Sequence, residues 1–136
     1  MKGKIVKESI EKSQNEEDNL YDFLEGENEI TYHEYTYKLL DDDKNMIGGV
    51  CMTVFLNRMY IDQVIVVNKY RKQNYGSLML KEIEDFARLK GVEISSVGSY
   101  NFQAPEFYKK QGYSLIYTRV SNDLRLSHNL LKKILT

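Results

Sequence analysis

The chain has 136 residues, enough for one domain with one apolar core. Hydrophobic residues make up 42% and charged residues 29%, with a formal net charge of −1, so no overall field favours nucleic acid or an anionic membrane. A single cysteine, Cys51, excludes an internal disulfide, and no apolar run approaches the ~18 residues that cross a bilayer. These features point to a cytoplasmic protein in a reducing compartment, and Cys51, inside an apolar run, reads as a small buried hydrophobe.

Residues 3–10 alternate weakly and are expected to form an edge strand. Residues 13–28 open on capping and acidic residues, carry Leu20, Phe23 and Leu24 on one face, and stop at Gly26, the pattern of a short helix. From His33 to Leu40, His33, Tyr35, Tyr37 and Leu39 alternate with Glu34, Thr36 and Lys38, which predicts a strand. The run Asp41 to Asn45 reads as a solvated hairpin turn rather than a metal site, and Ile47 to Leu56 as the returning strand, with Gly48-Gly49 marking a bulge. After a turn at Asn57-Arg58, Met59 to Val67 forms a third strand. Its end is apolar on both faces, so it belongs in the middle of a sheet.

Tyr75 to Lys90 has helical spacing, with Met79, Ile83, Phe86 and Ala87 inward, Lys81, Glu82, Glu84 and Asp85 outward, and Gly91 at the stop. Val92 to Val97 is the next strand, and strand–helix–strand order implies a parallel pair with a right-handed crossover. Ala104 to Gln111 is a short helix with Pro105 in its first turn. Tyr113 to Val120 and Leu124 to Leu131 read as a closing antiparallel pair. The fold class is α/β (α+β), a mixed central sheet of about six to seven strands in one domain over 1–136.

The loop between the third strand and the long helix, Tyr70-Arg71-Lys72-Gln73-Asn74-Tyr75-Gly76-Ser77, joins two basic residues to a helix N-terminus, where backbone N–H groups lack partners. That combination suits a diphosphate. The P-loop pattern and the three-glycine dinucleotide fingerprint are both absent.

Arg71-Lys72-Gln73-Asn74-Tyr75-Gly76 resembles the [Q/R]-x-x-G-x-[G/A] signature of the GCN5-related N-acetyltransferases, the GNAT superfamily, with Asn74 in place of the first glycine. Asparagine is among the few residues that tolerate the left-handed region that glycine would supply. Val67, Tyr70 and Arg71 match the stretch that leads into the signature. The segment Asn101-Phe102-Gln103-Ala104-Pro105-Glu106-Phe107-Tyr108, continued to Gly112-Tyr113, is similar to the family's second motif. The resemblance spans roughly residues 30 to 120 and looks like that of a small bacterial-type member.

By that resemblance the protein is an acetyl-CoA-dependent N-acetyltransferase that uses acetyl-CoA as cosubstrate and no metal. Arg71, Lys72, Gln73, Asn74, Tyr75, Gly76 and Ser77 would cradle the pyrophosphate. Val66 and Val67 would offer backbone along the pantetheine, Asn101 would hold that arm, and Tyr108 would be the general acid. Asp62, the one acid on its strand, is the implied base that readies the amine. His33 and Glu34 are weaker candidates, and His128 reads as a surface or interface histidine. The acceptor would be a primary amine of a small molecule or peptide, and the family allows a homodimer through the C-terminal strands. Two other readings are a catalytically inactive CoA-binding module of the same fold, and a toxin-type enzyme acting on aminoacyl-tRNA. The near-neutral charge argues against the second.

Overall fold

The computed structural model describes residues 4–8 and 32–136. The helix expected over 13–28 lies outside the described residues. Among the described residues seven strands form one sheet: β1 (Lys4–Glu8), β2 (Tyr32–Leu40), β3 (Met46–Phe55), β4 (Arg58–Val66), β5 (Ile94–Tyr100), β6 (Ser114–Arg119) and β7 (His128–Ile134). Two α-helices among the described residues join the strands, α1 (Tyr75–Leu89) and α2 (Pro105–Lys110). The order across the sheet is β1-β2-β3-β4-β5-β7-β6. All neighbours are antiparallel except β4 and β5, the pair bridged by α1. The mixed sheet, the edge position of β1, the central position of β4 and the parallel crossover all follow the sequence expectation.

Alternation decides the faces. Tyr35, Tyr37 and Leu39 on β2 are buried with Val50, Met52 and Val54 on β3 and Met59 and Ile61 on β4. The helix α1 lays Met79, Leu80, Ile83 and Ala87 on that face, and Phe86 meets Tyr35 and Tyr37 edge-on. A buried apolar side chain of this size contributes roughly 1.5–3 kcal/mol, so this layer fixes the register of β2, β3 and β4 against α1. The opposite face carries Thr36, Cys51, Thr53 and Tyr60. Cys51 is therefore partly exposed rather than fully buried, with its sulfur 3.8 Å from the Thr36 hydroxyl.

Two further points depart from the sequence expectation. Glu84 points inward and is buried, because Lys133 Nζ (2.9 Å) and the Tyr113 hydroxyl (2.9 Å) both donate to its carboxylate. Leu124–Leu126 is a short 3-10 turn, so the last strand starts only at His128. Apolar composition alone could not separate that turn from a strand. The closing antiparallel pair is present as expected, with β7 lying between β5 and β6 and β6 at the sheet edge.

The turn after β2 is as expected, but Asp41 is not solvated. Its carboxylate accepts the backbone N–H groups of Asp43 (2.8 Å) and Asn45 (2.9 Å), and the Tyr70 hydroxyl donates to it at 3.0 Å. The amide of Asn45 leads the groups that hold the Asp41 carboxyl below its ordinary range. A depressed carboxyl adds stability that is complete above its unfolded value and lost as pH falls through the folded one. Asp41→Asn should therefore lower stability at neutral pH and flatten the acid limb of a urea-unfolding series run from pH 7 downward. An unchanged acid limb would remove this carboxylate from the acid sensitivity of the fold.

Candidate active site

The seam between β4 and β5 opens partway along. The two strands are in register from Arg58 opposite Ile94 to Ile61 opposite Val97, and pairing ends there. Two causes are visible. On β4 the register against β3 slips, with Cys51 opposite Gln63 and Met52 opposite Ile61, so Asp62 is an extra, bulged residue. Meanwhile β5 continues to Tyr100 against β7. The bulge also resolves which way Asp62 faces. It shares the outer face with Thr53, whose hydroxyl donates to Oδ2 at 3.0 Å, while Val64 and Val66 turn to the core face. Beyond the bulge, β4 has no strand on its β5 side, and its backbone groups there are open to a ligand.

That opening is a cleft of about 640 Å³, lined on β4 by Asp62 to Val66, on β5 by Val97 to Ser99, and closed by Phe102 to Ala104, Arg71 and Tyr108. A second hollow of about 230 Å³ adjoins it through the shared Val66 and Arg71. It is lined by Lys72, Asn74, Tyr75, Gly76, Ser77 and Phe107. The first intrahelical amide is that of Leu78, bonded to the Asn74 carbonyl, so the amides of the first turn have no partner within α1. No acid occupies that turn. An anion is favoured there by the helix dipole and by Arg71 and Lys72.

The loop reaches this shape through unusual backbone. Lys72 (φ 61°) and Asn74 (φ 66°, ψ 14°) are both left-handed. Asn74 thus adopts the conformation that a glycine would supply, so its departure from the family signature leaves the turn intact. Gly76 is needed for closeness rather than for φ. A Cβ there would lie 3.2 Å from Phe107 Cζ and 3.8 Å from Val66 Cγ2, so bulk would push α2 off the helix start. The loop is pinned at its entrance by the Val67 amide on the Ile47 carbonyl (2.8 Å), and Arg71 Nε donates to the Val66 carbonyl at 3.1 Å.

The expected site residues divide into two groups. Val66, Arg71, Lys72, Asn74, Tyr75, Gly76, Ser77, Asp62 and Tyr108 line the two connected hollows. Val67, Gln73 and Asn101 are engaged in bonds that build them. The Gln73 amide donates to the Lys69 carbonyl, and Asn101 donates to the Leu124 carbonyl (2.7 Å) and accepts from Asn129 (2.8 Å). Phe102 and Gln103, which lie inside the second motif, line the cleft as well; their place between two fixed motif positions was the signal available for them.

Tyr108 is buried against Phe107 and Tyr113, yet its side chain reaches the cleft. Burial, with the Tyr60 phenol as a lesser cause, pushes it up to about 12. Asp62 is also raised, by burial first; the Thr53 hydrogen bond opposes the shift and the nearby Glu34 charge adds to it.

Residues 5–113 match the family model for the acetyltransferase (GNAT) family. The chain belongs to the GNAT acetyltransferase family. Solved structures agree in fold. An acetyltransferase from Bacillus cereus ATCC 14579 is 26% identical, with a TM-score of 0.75 over 91% of this chain and 96% of that one. The ribosomal-protein-S18-alanine N-acetyltransferase from Escherichia coli, 15% identical, gives 0.72 over 99% and 95%. A structure from Bacillus anthracis str. Ames, assigned as a streptothricin acetyltransferase and in complex with acetyl coenzyme A, is 18% identical and gives 0.65 over 74% and 62%. No curated protein matches the chain. Among the described residues no helix is long and apolar enough to cross a membrane.

The strained loop makes a direct prediction. A β-branched residue pays about 1–2 kcal/mol for the left-handed conformation that glycine adopts freely. Asn74→Val should lower unfolding free energy by that amount, and Asn74→Gly should leave it within about 1 kcal/mol of the parent. Equal stability of the two variants in urea titrations would show that the φ of residue 74 is not a constraint.

Proposed function

We propose that this GNAT domain, spanning 1–136, is a cytoplasmic N-acetyltransferase that moves an acetyl group from acetyl-CoA to a primary amine by direct attack. The observation that carries this reading is the opened seam, where a free strand edge leads directly into a basic, left-handed loop and a helix N-terminus. A long ligand with an extended amide-bearing arm and a diphosphate matches that sequence of surfaces. The complex of a fold relative with acetyl coenzyme A supports the same choice.

The residues present fit that cosubstrate. The first-turn amides of α1 with Arg71 and Lys72 would hold the pyrophosphate in the smaller hollow, and the open β4 edge at Val64 to Val66 would hydrogen-bond the pantetheine arm like an added strand. Asn101 acts one step back, by tying the loop after β5 to the Leu124 turn and to Asn129 on β7. Acetyl-CoA, when bound, supplies a thioester carbonyl as the electrophile. Backbone N–H groups on the free edge of β4 can stabilise negative charge as it develops on the carbonyl oxygen. Holding both reactants in one cleft replaces a bimolecular encounter with a local one.

Tyr108, kept protonated by its raised value, donates to the sulfur as the leaving group departs. Asp62 stands on the acceptor side of the bulge with Glu34 nearby, and its carboxylate draws an ammonium into the seam. Tyr35 and Tyr37 of β2 contribute to the core rather than to the cleft, since both are buried. The reading of an inactive CoA-binding module drew on Asn74 and on the lack of an assured base, and the left-handed geometry at Asn74 answers the first of these.

Acetyl-CoA at about 100 times its Kd should add about 2.7 kcal/mol, a shift on the order of several degrees for a chain of this size, whereas adenosine should add little. Gly76→Val should abolish that shift while leaving the unliganded unfolding transition cooperative. Tyr108→Phe should keep the shift but lower amine-dependent CoA release on the order of 10²-fold. Full turnover in Tyr108→Phe would take this residue out of the chemistry. Binding by the parent protein without turnover on any amine would restore the inactive-module reading.

A further inference from the structure

The mechanism above leaves His128 unused, yet the fold brings it to the mouth of the opened seam. Gly98 is the first residue of β5 beyond the last rung shared with β4. Two polar groups crowd the position that a Cβ would take there: Nε2 of His128 at 2.6 Å and the hydroxyl of Tyr60 at 2.8 Å. Any other residue at 98 would displace both. A ring nitrogen from β7 and a phenol from β4 therefore converge over one bare stretch of backbone, beside a residue that lines the cleft.

Packing fixes the imidazole. It meets Tyr100 edge-on with centroids 4.8 Å apart, and Tyr100 stacks on Phe102, a cleft residue, at 5.5 Å. Among the described residues, no hydrogen bond engages the His128 ring nitrogens or the Tyr60 hydroxyl. The groups that face His128 are Tyr60 from β4, Tyr100 from β5 and Arg119, in register with it on β6. A histidine oriented by aromatic packing, with its nitrogen chemistry unspent and a hydroxyl beside it, is arranged to move a proton. Gly98, over which the pair converges, lines the same cleft as Tyr108.

We infer that His128, working through the hydroxyl of Tyr60, is the base that takes the proton from a primary alkylammonium acceptor held at the seam. The inference rests on the acetyl-transfer reading and deepens it by naming the protonation state in which the acceptor arrives. One N–H bond of the ammonium breaks and its electron pair stays on nitrogen as the attacking lone pair. The proton passes to the Tyr60 oxygen as that hydroxyl gives up its own proton, which a solvent water between the two side chains carries to His128 Nε2. The imidazolium then returns a proton to water. Asp62 keeps the electrostatic role, its carboxylate lining the same cleft.

The test is steady-state CoA release with acetyl-CoA and two probes, ethylamine and a lysine-containing peptide, from about pH 6 to about pH 9. His128→Gln should lower kcat/KM on the order of 10²-fold near neutral pH and leave acetyl-CoA affinity unchanged. The deficit should close as pH rises, because more amine then arrives already neutral, and added imidazole should restore part of the rate. Gly98→Ala, which displaces both groups without removing either, should show the same pH-dependent deficit. Full activity in His128→Gln, or a deficit that is equal at every pH and untouched by imidazole, would overturn the inference and leave acetyl transfer standing. Absence of amine-dependent release in the parent protein would overturn the transfer reading itself, and this base with it.

Discussion

The parting of β4 and β5 is the constraint on which the rest of the site depends. Parallel strands that pair along their whole length leave no backbone for a ligand. Here pairing stops after Ile61 and Val97, because Asp62 is bulged out of β4 while β5 stays with β7. The bulge does two things at once. It reverses the parity of the strand, so that Val64 and Val66 join the core face, and it presents a carboxylate on the other face, braced by Thr53. One extra residue thus opens the cleft and sets its carboxylate on the face opposite Val64 and Val66.

A cleft cut into a sheet weakens the sheet, and the described residues show how the opening is held. The start of α1 and the end of α2 are tied by Gln111 Nε2 to the Ser77 hydroxyl at 2.8 Å. Behind them Lys133 bridges Glu84 and the Gln111 carbonyl, each at 2.9 Å, and Tyr113 shares its hydroxyl between Glu84 and Ser95. Glu84 is buried, and a buried carboxylate is tolerated only when it is paired and hydrogen-bonded. This network fixes α2 relative to α1, and so fixes Tyr108 relative to the start of α1. The raised value of Tyr108 follows from the same packing, since Phe107 and Tyr113 exclude water from its ring.

The phosphate-type loop is built from conformation more than from charge. Two non-glycine residues in the left-handed region within three positions store strain that only a tightly pinned loop sustains. The pins are the Val67 amide on Ile47, Arg71 on the Val66 carbonyl, and Tyr70, whose buried ring ends on Asp41. The hairpin turn after β2 is thereby joined to the loop before α1, although the two are far apart in sequence.

The order and kind of elements were legible from the sequence alone: alternation marked β2, β3 and β4, helical spacing marked α1, and the strand–helix–strand run implied the parallel pair. The two motifs placed the loop and Tyr108, because glycine, asparagine and helix-start residues act locally. Other features were decided only by tertiary structure. Glu84 looked like a solvent-facing helix residue, since its partners Tyr113 and Lys133 come from distant strands. The direction of Asp62 depended on a bulge that exists only in the pairing of β4 with β3. The gathering of His128, Tyr60 and Gly98 from three strands leaves no trace in spacing along the chain. Local chemistry is written in consecutive residues, whereas burial and convergence depend on which strands become neighbours.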